Sequence, residues 1–240
     1  MKFHIVGTGS KGNCYILESK HSALIIDCGM SFMDVKKSID FQVEKIAGCI
    51  VTHQHGDHFK FVRDFTRNSI DIYANESTIE FADYTSTHFK TIQNKKTFIV
   101  GEFTIMPFDV EHDVETFGFL IHHPDCGFVL FITDSVFCKY NFKNLNHIVI
   151  ESNYSDEIID AKFGNKFVRD RVLNSHMEIN QTVKTILSND ISAVNNIVLI
   201  HLSDSNSDER EFKKIVERQT GKNTTVASNG MKINFDKNLF

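Results

Sequence analysis

The stretch GCIVTHQHGDHFKF, residues 48–61, sets three histidines and an aspartate within six positions, His53 to His58. They sit directly behind the short apolar run Cys49-Ile50-Val51. That run reads as a buried strand, and the segment after Gly56 reads as a helix with Asp57 in its first turn. In an extended segment alternate side chains share a face, so His53 and His55 point the same way and can reach one metal ion. The chain then turns, and Asp57 and His58 project toward a neighbouring point. A lone histidine is usually a surface or core residue, whereas this density and spacing suit two adjacent metals. Each metal needs further ligands from elsewhere in the chain.

Such ligands are expected where apolar strands end. His112 lies in PFDVEHDVETFGFL, between two strand-like runs. Asp134 ends FVLFITDS, and His201 ends NIVLIHLSDSNSD, each at the point where a strand delivers a side chain to a loop. A strand-end carboxylate can bridge two cations with its two oxygens, a role imidazole cannot fill. Asp134 is therefore the expected bridge.

The rest of the chain bounds the fold. Its 240 residues are 41% hydrophobic and 24% charged, with 22 phenylalanines, no tryptophan and two prolines. This is enough for one large domain, read here as spanning residues 1–240. Short apolar runs read as strands at 2–7, 14–19, 23–27, 48–52 and 70–75, with helices over SFMDVKKSI, DHFKFVRDF and ESTIEFADY. FIVGEFTIMPF, TFGFLIHH, FVLFIT and HIVIES follow as strands, and then a helical region at about 155–189. NIVLIHL is a buried strand. SDEREFKKIVERQTG is an amphipathic helix with Asp208 as its cap and Gly221 as its stop. TTVAS and MKINF finish as strands. This order fits an α/β fold, a two-sheet core with helices on its outer faces.

The formal net charge is -5, so the total shows no basic face of the kind that grips long duplexes. Lys162, Lys166, Arg169 and Arg171 are the best local basic patch, diluted by Asp160 and Asp170. The five cysteines, Cys14, Cys28, Cys49, Cys126 and Cys138, include no CxxC pair. No apolar run approaches the ~18 residues of a membrane span, and the N-terminus lacks a signal-peptide pattern. The expectation is a cytoplasmic protein with reduced thiols and no membrane partner.

The motifs together resemble the metallo-β-lactamase-fold hydrolases. Asp27 in LIIDCG is similar to that family's first-motif aspartate, THQHGDH to its HxHxDH signature, and His112, Asp134 and His201 to its later motifs. Within the family the chain resembles most the WalJ (YycJ) branch and its prophage-encoded relatives, through GTGSKGNCYIL, NSHMEIN and HLSDSNSD. The resemblance implies an αββα four-layer sandwich, two mixed β-sheets flanked by helices, with the site at one edge. It implies one metal on His53, His55 and His112, a second on Asp57, His58 and His201, and Asp134 between them. Asp27 would orient a ligand histidine by hydrogen bond. Zn or Mn, with Fe or Co as options, suits this imidazole and carboxylate set.

Two such cations about 3.5–4 Å apart can share a hydroxide that is a nucleophile at neutral pH. Asp57 counts both as ligand and as a catalytic residue. His176, in the polar turn LNSHMEIN, is the candidate general acid or phosphate contact. The GTGSKGN loop is not a P-loop, since Lys11 precedes Gly12; it reads as a tight turn beside the site. The branch resemblance implies a phosphodiesterase on nucleic acid, a 5′-to-3′ exonuclease on single strands. The alternative is a phosphodiesterase for small or cyclic nucleotides, and after it an ester, thioester or lactam hydrolase. The oligomeric state is left open, a homodimer being one option.

Overall fold

The computed structural model describes residues 1–162 and 172–238. One sheet holds β1 (Lys2–Gly7), β2 (Cys14–Glu18), β3 (Ala23–Ile26), β4 (Ile46–Ile50), β5 (Ile72–Ala74), β6 (Phe89–Thr91) and β14 (Lys232–Asn234), in the order β14-β1-β2-β3-β4-β5-β6. The other holds β7 (Phe98–Val100), β8 (Phe103–Val110), β9 (Thr116–His123), β10 (Gly127–Ile132), β11 (Leu145–Glu151), β12 (Asn196–Ile200) and β13 (Thr224–Val226), in the order β13-β12-β11-β10-β9-β8-β7. Both are mixed. The pairs β3–β4 and β10–β11–β12 are parallel, so their C-terminal ends gather on one edge.

Alternation along the strands sorts the core into layers. Phe3, Ile5, Tyr15, Leu17, Leu24 and Ile26 face inward and meet Phe103, Ile105, Phe119, Phe131 and Val149 of the opposite sheet. Ile16 and Ile25 face outward, where Phe32 and Val35 of α1 (Phe32–Ser38) cover them together with Val62 and Phe65 of α3 (Val62–Arg67). On the other outer face Ile148, Ile150 and Leu199 lie under α6 (Ile179–Leu187) and α7 (Glu209–Thr220). Ile179, Val183 and Ile186 recur at helical spacing and bury against that sheet. Each such fully buried side chain contributes about 1.5–3 kcal/mol. The layers are therefore helix, sheet, sheet, helix.

Asp208 caps α7 by accepting the Glu211 N–H at 2.9 Å, and Gly221 ends it at φ +65. The single helix read over DHFKFVRDF is instead two pieces, α2 (Gly56–Phe59) and α3. The cause is competition for carbonyls. The Asp57 carbonyl accepts from the Asn13 N–H at 2.7 Å, and the His58 carbonyl from the Cys28 N–H at 2.8 Å. A continuing helix would need both. Gly29 lies so close beneath that a Cβ there would overlap the Asp57 carbonyl. The run FIVGEFTIMPF is likewise a hairpin, turned at Gly101 with φ +56. Helix α4 (Glu76–Glu80) is shorter than the run read for it, and β6 was not anticipated. The helical region expected at 155–189 is described as α5 (Asp156–Lys162), a helical stretch at 172–175, and α6. Its middle, with Lys166, Arg169 and Arg171, lies outside the described residues, as does the Lys162 side chain. No helix among the described residues is long and apolar enough to cross a membrane.

Candidate metal centre

The seven residues singled out as ligands sit just beyond strand ends on one edge. His53, His55, Asp57 and His58 follow β4, His112 follows β8, Asp134 follows β10 and His201 follows β12. Asp27, Asp134 and His201 all adopt positive φ, at 64, 43 and 54. Non-glycine residues held this way are strained, and such strain collects at functional sites.

His53, His55 and His112 converge. His53 Nε2 lies 3.0 Å from His55 Nδ1, which lies 3.3 Å from His112 Nε2. Their other contacts fix which nitrogen faces the centre. His53 Nδ1 meets Thr52 Oγ1 at 3.0 Å, and His112 Nδ1 donates to the Ser175 carbonyl at 2.8 Å. Donors held about 2.0–2.1 Å from one tetrahedral cation stand about 3.3 Å apart, which is the spacing seen. Bare imidazole lone pairs packed this closely repel, and a cation between them satisfies all three. Asp113 also reaches this group, 3.0 Å from His112 Nε2 and 3.5 Å from His55 Nε2.

Asp57, His58 and His201 form the neighbouring group. Asp57 Oδ2 is 3.4 Å from His58 Nε2 and 3.3 Å from His201 Nε2. His58 Nδ1 is taken by Asp27 Oδ2 at 2.7 Å, so Nε2 is left for the centre. Asp27 also accepts from the Thr52 N–H and hydroxyl, at 2.8 and 3.0 Å, and so steadies both His58 and, through Thr52, His53. Asp134 stands between the groups. Its Oδ2 lies 3.4 Å from His53 Nε2 and 3.1 Å from His58 Nε2, and its Oδ1 3.0 Å from His201 Nδ1. The donor atoms of each group, Asp134 included, all lie within 4.8 Å of one another, the span of a metal-ion site.

A third group joins Asp134 and His201 to Glu151 and His176. Glu151 ends β11 fully buried and takes His176 Nδ1 at 2.7 Å and His201 Nδ1 at 3.0 Å on Oε1. Its Oε2 accepts the N–H groups of Ser135 and Met177 at 2.9 and 3.2 Å. His176 is thus brought to the cluster, its ring centroid 5.3 Å from that of His201. The cavity above the cluster measures ≈ 300 Å³ and is lined by Ser10, His55, Asp57, His112, Asp134, His176 and His201, among others.

The electrostatics follow from this crowding. Burial, aided by His58, drives the His53 imidazole down to about 3, so it is a neutral donor. Burial would raise Asp57, but hydrogen bonds from His201 and His58 outweigh it and hold the carboxyl well below the usual range. Asp134 is held low in the same way by His201 and His58. Burial would lower His58 and His201, but Asp134 outweighs it, with Asp27 at His58 and with Asp57 and Glu151 at His201, and raises both imidazoles well above their ordinary value. A divalent cation bound there would displace those protons, since histidine ligates as the neutral imidazole.

Asn13 and Glu151 touch the cluster, as do Thr52, Asp113 and Ser175, and none of these was singled out from sequence. Asn13, in the loop read as a tight turn, donates to Asp57 Oδ2 at 3.1 Å and contacts His58 Nε2 at 2.9 Å. Glu151 carried a signal that was available, since it ends an apolar strand as Asp134 does. His4, His21, His88, His122, His123 and His147, read as ordinary, lie outside these three groups.

The sequence profile of the Metallo-beta-lactamase superfamily matches residues 7–135, and the chain belongs to that superfamily. Its members use divalent metals, usually two, and this protein is a metal-dependent hydrolase. The chain is 25% identical over 225 residues to Exodeoxyribonuclease WalJ of Streptococcus pneumoniae serotype 2 (strain D39 / NCTC 7466), covering 86% of this chain and 83% of that protein. It is 26% identical over 174 residues to Exodeoxyribonuclease YycJ of Bacillus anthracis, covering 66% and 65%. Two solved structures share the fold: YhfI of Bacillus subtilis, with TM-score 0.76 at 18% identity over 97% of this chain and 98% of that one; and the short form of human tRNase Z, with TM-score 0.68 at 17% identity over 98% and 99%.

Proposed function

We propose that the protein is a two-metal phosphodiesterase that shortens single-stranded nucleic acid from its 5′ end. The observation that carries this reading is the convergence of two imidazole and carboxylate groups on Asp134 beneath an open cavity. The exodeoxyribonuclease names of the relatives supply the substrate class. His53, His55 and His112 would hold one divalent ion, Zn or Mn, with Fe or Co as options, and Asp57, His58 and His201 the other, with Asp134 between. Bound there, the ions would supply Lewis acidity, acidifying a water and offsetting charge on phosphoryl oxygens.

The chain's own groups do the rest. Asp57 lines the cavity and doubles as acceptor of a proton from the attacking water. Glu151 engages His176 at Nδ1, which leaves Nε2 to carry a proton to the leaving oxygen. His176 is then a general acid, and its removal should cost about 10²–10⁴ in kcat while metal content stays intact. The residues 1–240 act as one domain in this reading. All five cysteines are buried and unpaired, which supports a reducing, cytoplasmic setting.

The test is cleavage of end-labelled single-stranded DNA with added Mn²⁺, against His55→Ala protein purified identically. Stepwise shortening by the wild type alone, from the 5′ end, is the expected result. Absence of cleavage across a range of metals overturns it. A site cavity of ≈ 300 Å³ also admits a small or cyclic nucleotide. If long strands fail to compete with a cyclic nucleotide, that second reading replaces the first.

A further inference from the structure

A second cavity, of ≈ 220 Å³, opens beside the metal cluster with α2 as the wall between them. Asp57 lines the cluster side, Phe59 and Lys60 line the other, and Gly56 lines both. A Cβ on Gly56 would meet no atom within 4 Å. Packing therefore does not require glycine there.

The chemistry of this groove differs from its surroundings. Its walls include the rings of Phe59, Phe81 and Tyr84, and Phe81 is 59% exposed despite its size. Its only charged residues are Lys60 and Arg63, both cationic. The other three cavities described carry more carboxylates than cations. Arg63 lies 4.5 Å from the Tyr84 ring centroid, and the Tyr84 hydroxyl shares a 2.9 Å hydrogen bond with Thr66. The tyrosine is thus held in place. Among the described residues neither Lys60 nor Arg63 is paired with a carboxylate; Lys60 lies 5.2 Å from the Phe61 ring centroid and Arg63 over Tyr84.

An exposed aromatic face beside unpaired cations is how proteins hold single strands, bases stacking on rings and phosphates on the cations. We propose that this groove seats a nucleotide adjacent to the scissile phosphodiester, its base against Phe81 and its phosphate near Lys60 and Arg63, the latter held in place by its stack on Tyr84. The proposal rests on the nucleic-acid reading above and adds the route of the strand. It also implies little preference among bases, since every base offers a stacking face.

Binding is measured by fluorescence anisotropy, with full-length, Mn²⁺-loaded protein and a labelled phosphorothioate strand of about ten nucleotides that resists cleavage. Phe81→Ala should weaken binding about tenfold, and Phe81→Trp should restore it. Arg63→Glu should weaken it and reduce its salt dependence. Removing one base at a time should reveal a position whose loss costs the wild type about as much as Phe81→Ala. That loss should cost the Phe81→Ala protein nothing further. If the wild type binds strands but Phe81→Ala and Arg63→Glu bind equally well, the groove assignment is wrong and the nuclease reading stands. If the wild type binds no strand, both fall.

Discussion

Strand β11 buries an ionisable side chain toward each end. His147, in its first half, stacks on Phe235 with centroids 4.2 Å apart and planes 8° apart. Burial drives its imidazole down to about 4, so it is neutral at pH 7. Glu151 closes the strand at the other end and is equally enclosed. Burial would raise its carboxyl as well, but His176 and His201 outweigh burial and hold it below the ordinary range. The same strand therefore discharges one group and keeps the other charged. The difference lies in what the neighbouring strand ends bring. Beside Phe235 the imidazole's side-chain partner is a neutral amide, Asn196 Nδ2 at 3.1 Å; at the far edge, the loops after β10 and β12 and the turn before α6 gather polar partners around a carboxylate. A buried charge survives only when it is paired and hydrogen-bonded.

That contrast can be broken most severely at Asp134, the one residue common to all three groups. Asp134→Ala should empty both metal positions and abolish hydrolysis, whereas His55→Ala should weaken chiefly one position. Metal content per chain by plasma mass spectrometry distinguishes them, and retention of two ions by Asp134→Ala would show that it does not bridge.

A milder break is Glu151→Gln, which keeps the shape and removes the charge that steadies His201. Metal affinity at the Asp57–His58–His201 position should fall about 10–100-fold. The His53–His55–His112 position, steadied instead by Thr52 and the Ser175 carbonyl, should change less. Chelator competition measures both. Asp27→Asn should weaken the Asp57–His58–His201 position as well, and should lower the other position more than Glu151→Gln does, since Asp27 steadies His58 directly and His53 through Thr52.

The smallest effect on the site belongs to His147. Its folded pKa lies below the ordinary 6.5, so the unfolded chain binds its proton more readily. The stability it contributes is fully present above pH 6.5 and is lost as pH falls toward 4. His147→Phe keeps the stack on Phe235 and leaves Asn196 Nδ2 its bond to the Asn234 carbonyl at 3.0 Å. Urea denaturation of that variant should show a shallower loss between these pH values, with metal content unchanged.

The sequence made one half of the site easy to read because one loop carries it. Alternation alone brings His53 and His55 to one face, and the helical turn at Gly56 turns Asp57 and His58 toward the neighbouring group. His112, Asp134 and His201 were legible as polar residues ending apolar strands, although which strands adjoin is a matter of topology. Asn13 was hidden because its role depends on a loop docking on α2 from forty-four residues away in sequence. Glu151 was overlooked because its partners arrive from three separate segments. The break between α2 and α3 had no local signal, since backbone donors from Asn13 and Cys28 impose it from outside.

The central claim is that two metals share this edge with Asp134 between them. Anomalous diffraction from crystals grown with Mn²⁺ tests it most directly. The account expects two peaks about 3.5–4 Å apart, one among His53, His55 and His112 and one among Asp57, His58 and His201, with Asp134 touching both. A single peak, or one seated between Glu151 and His176, would contradict it.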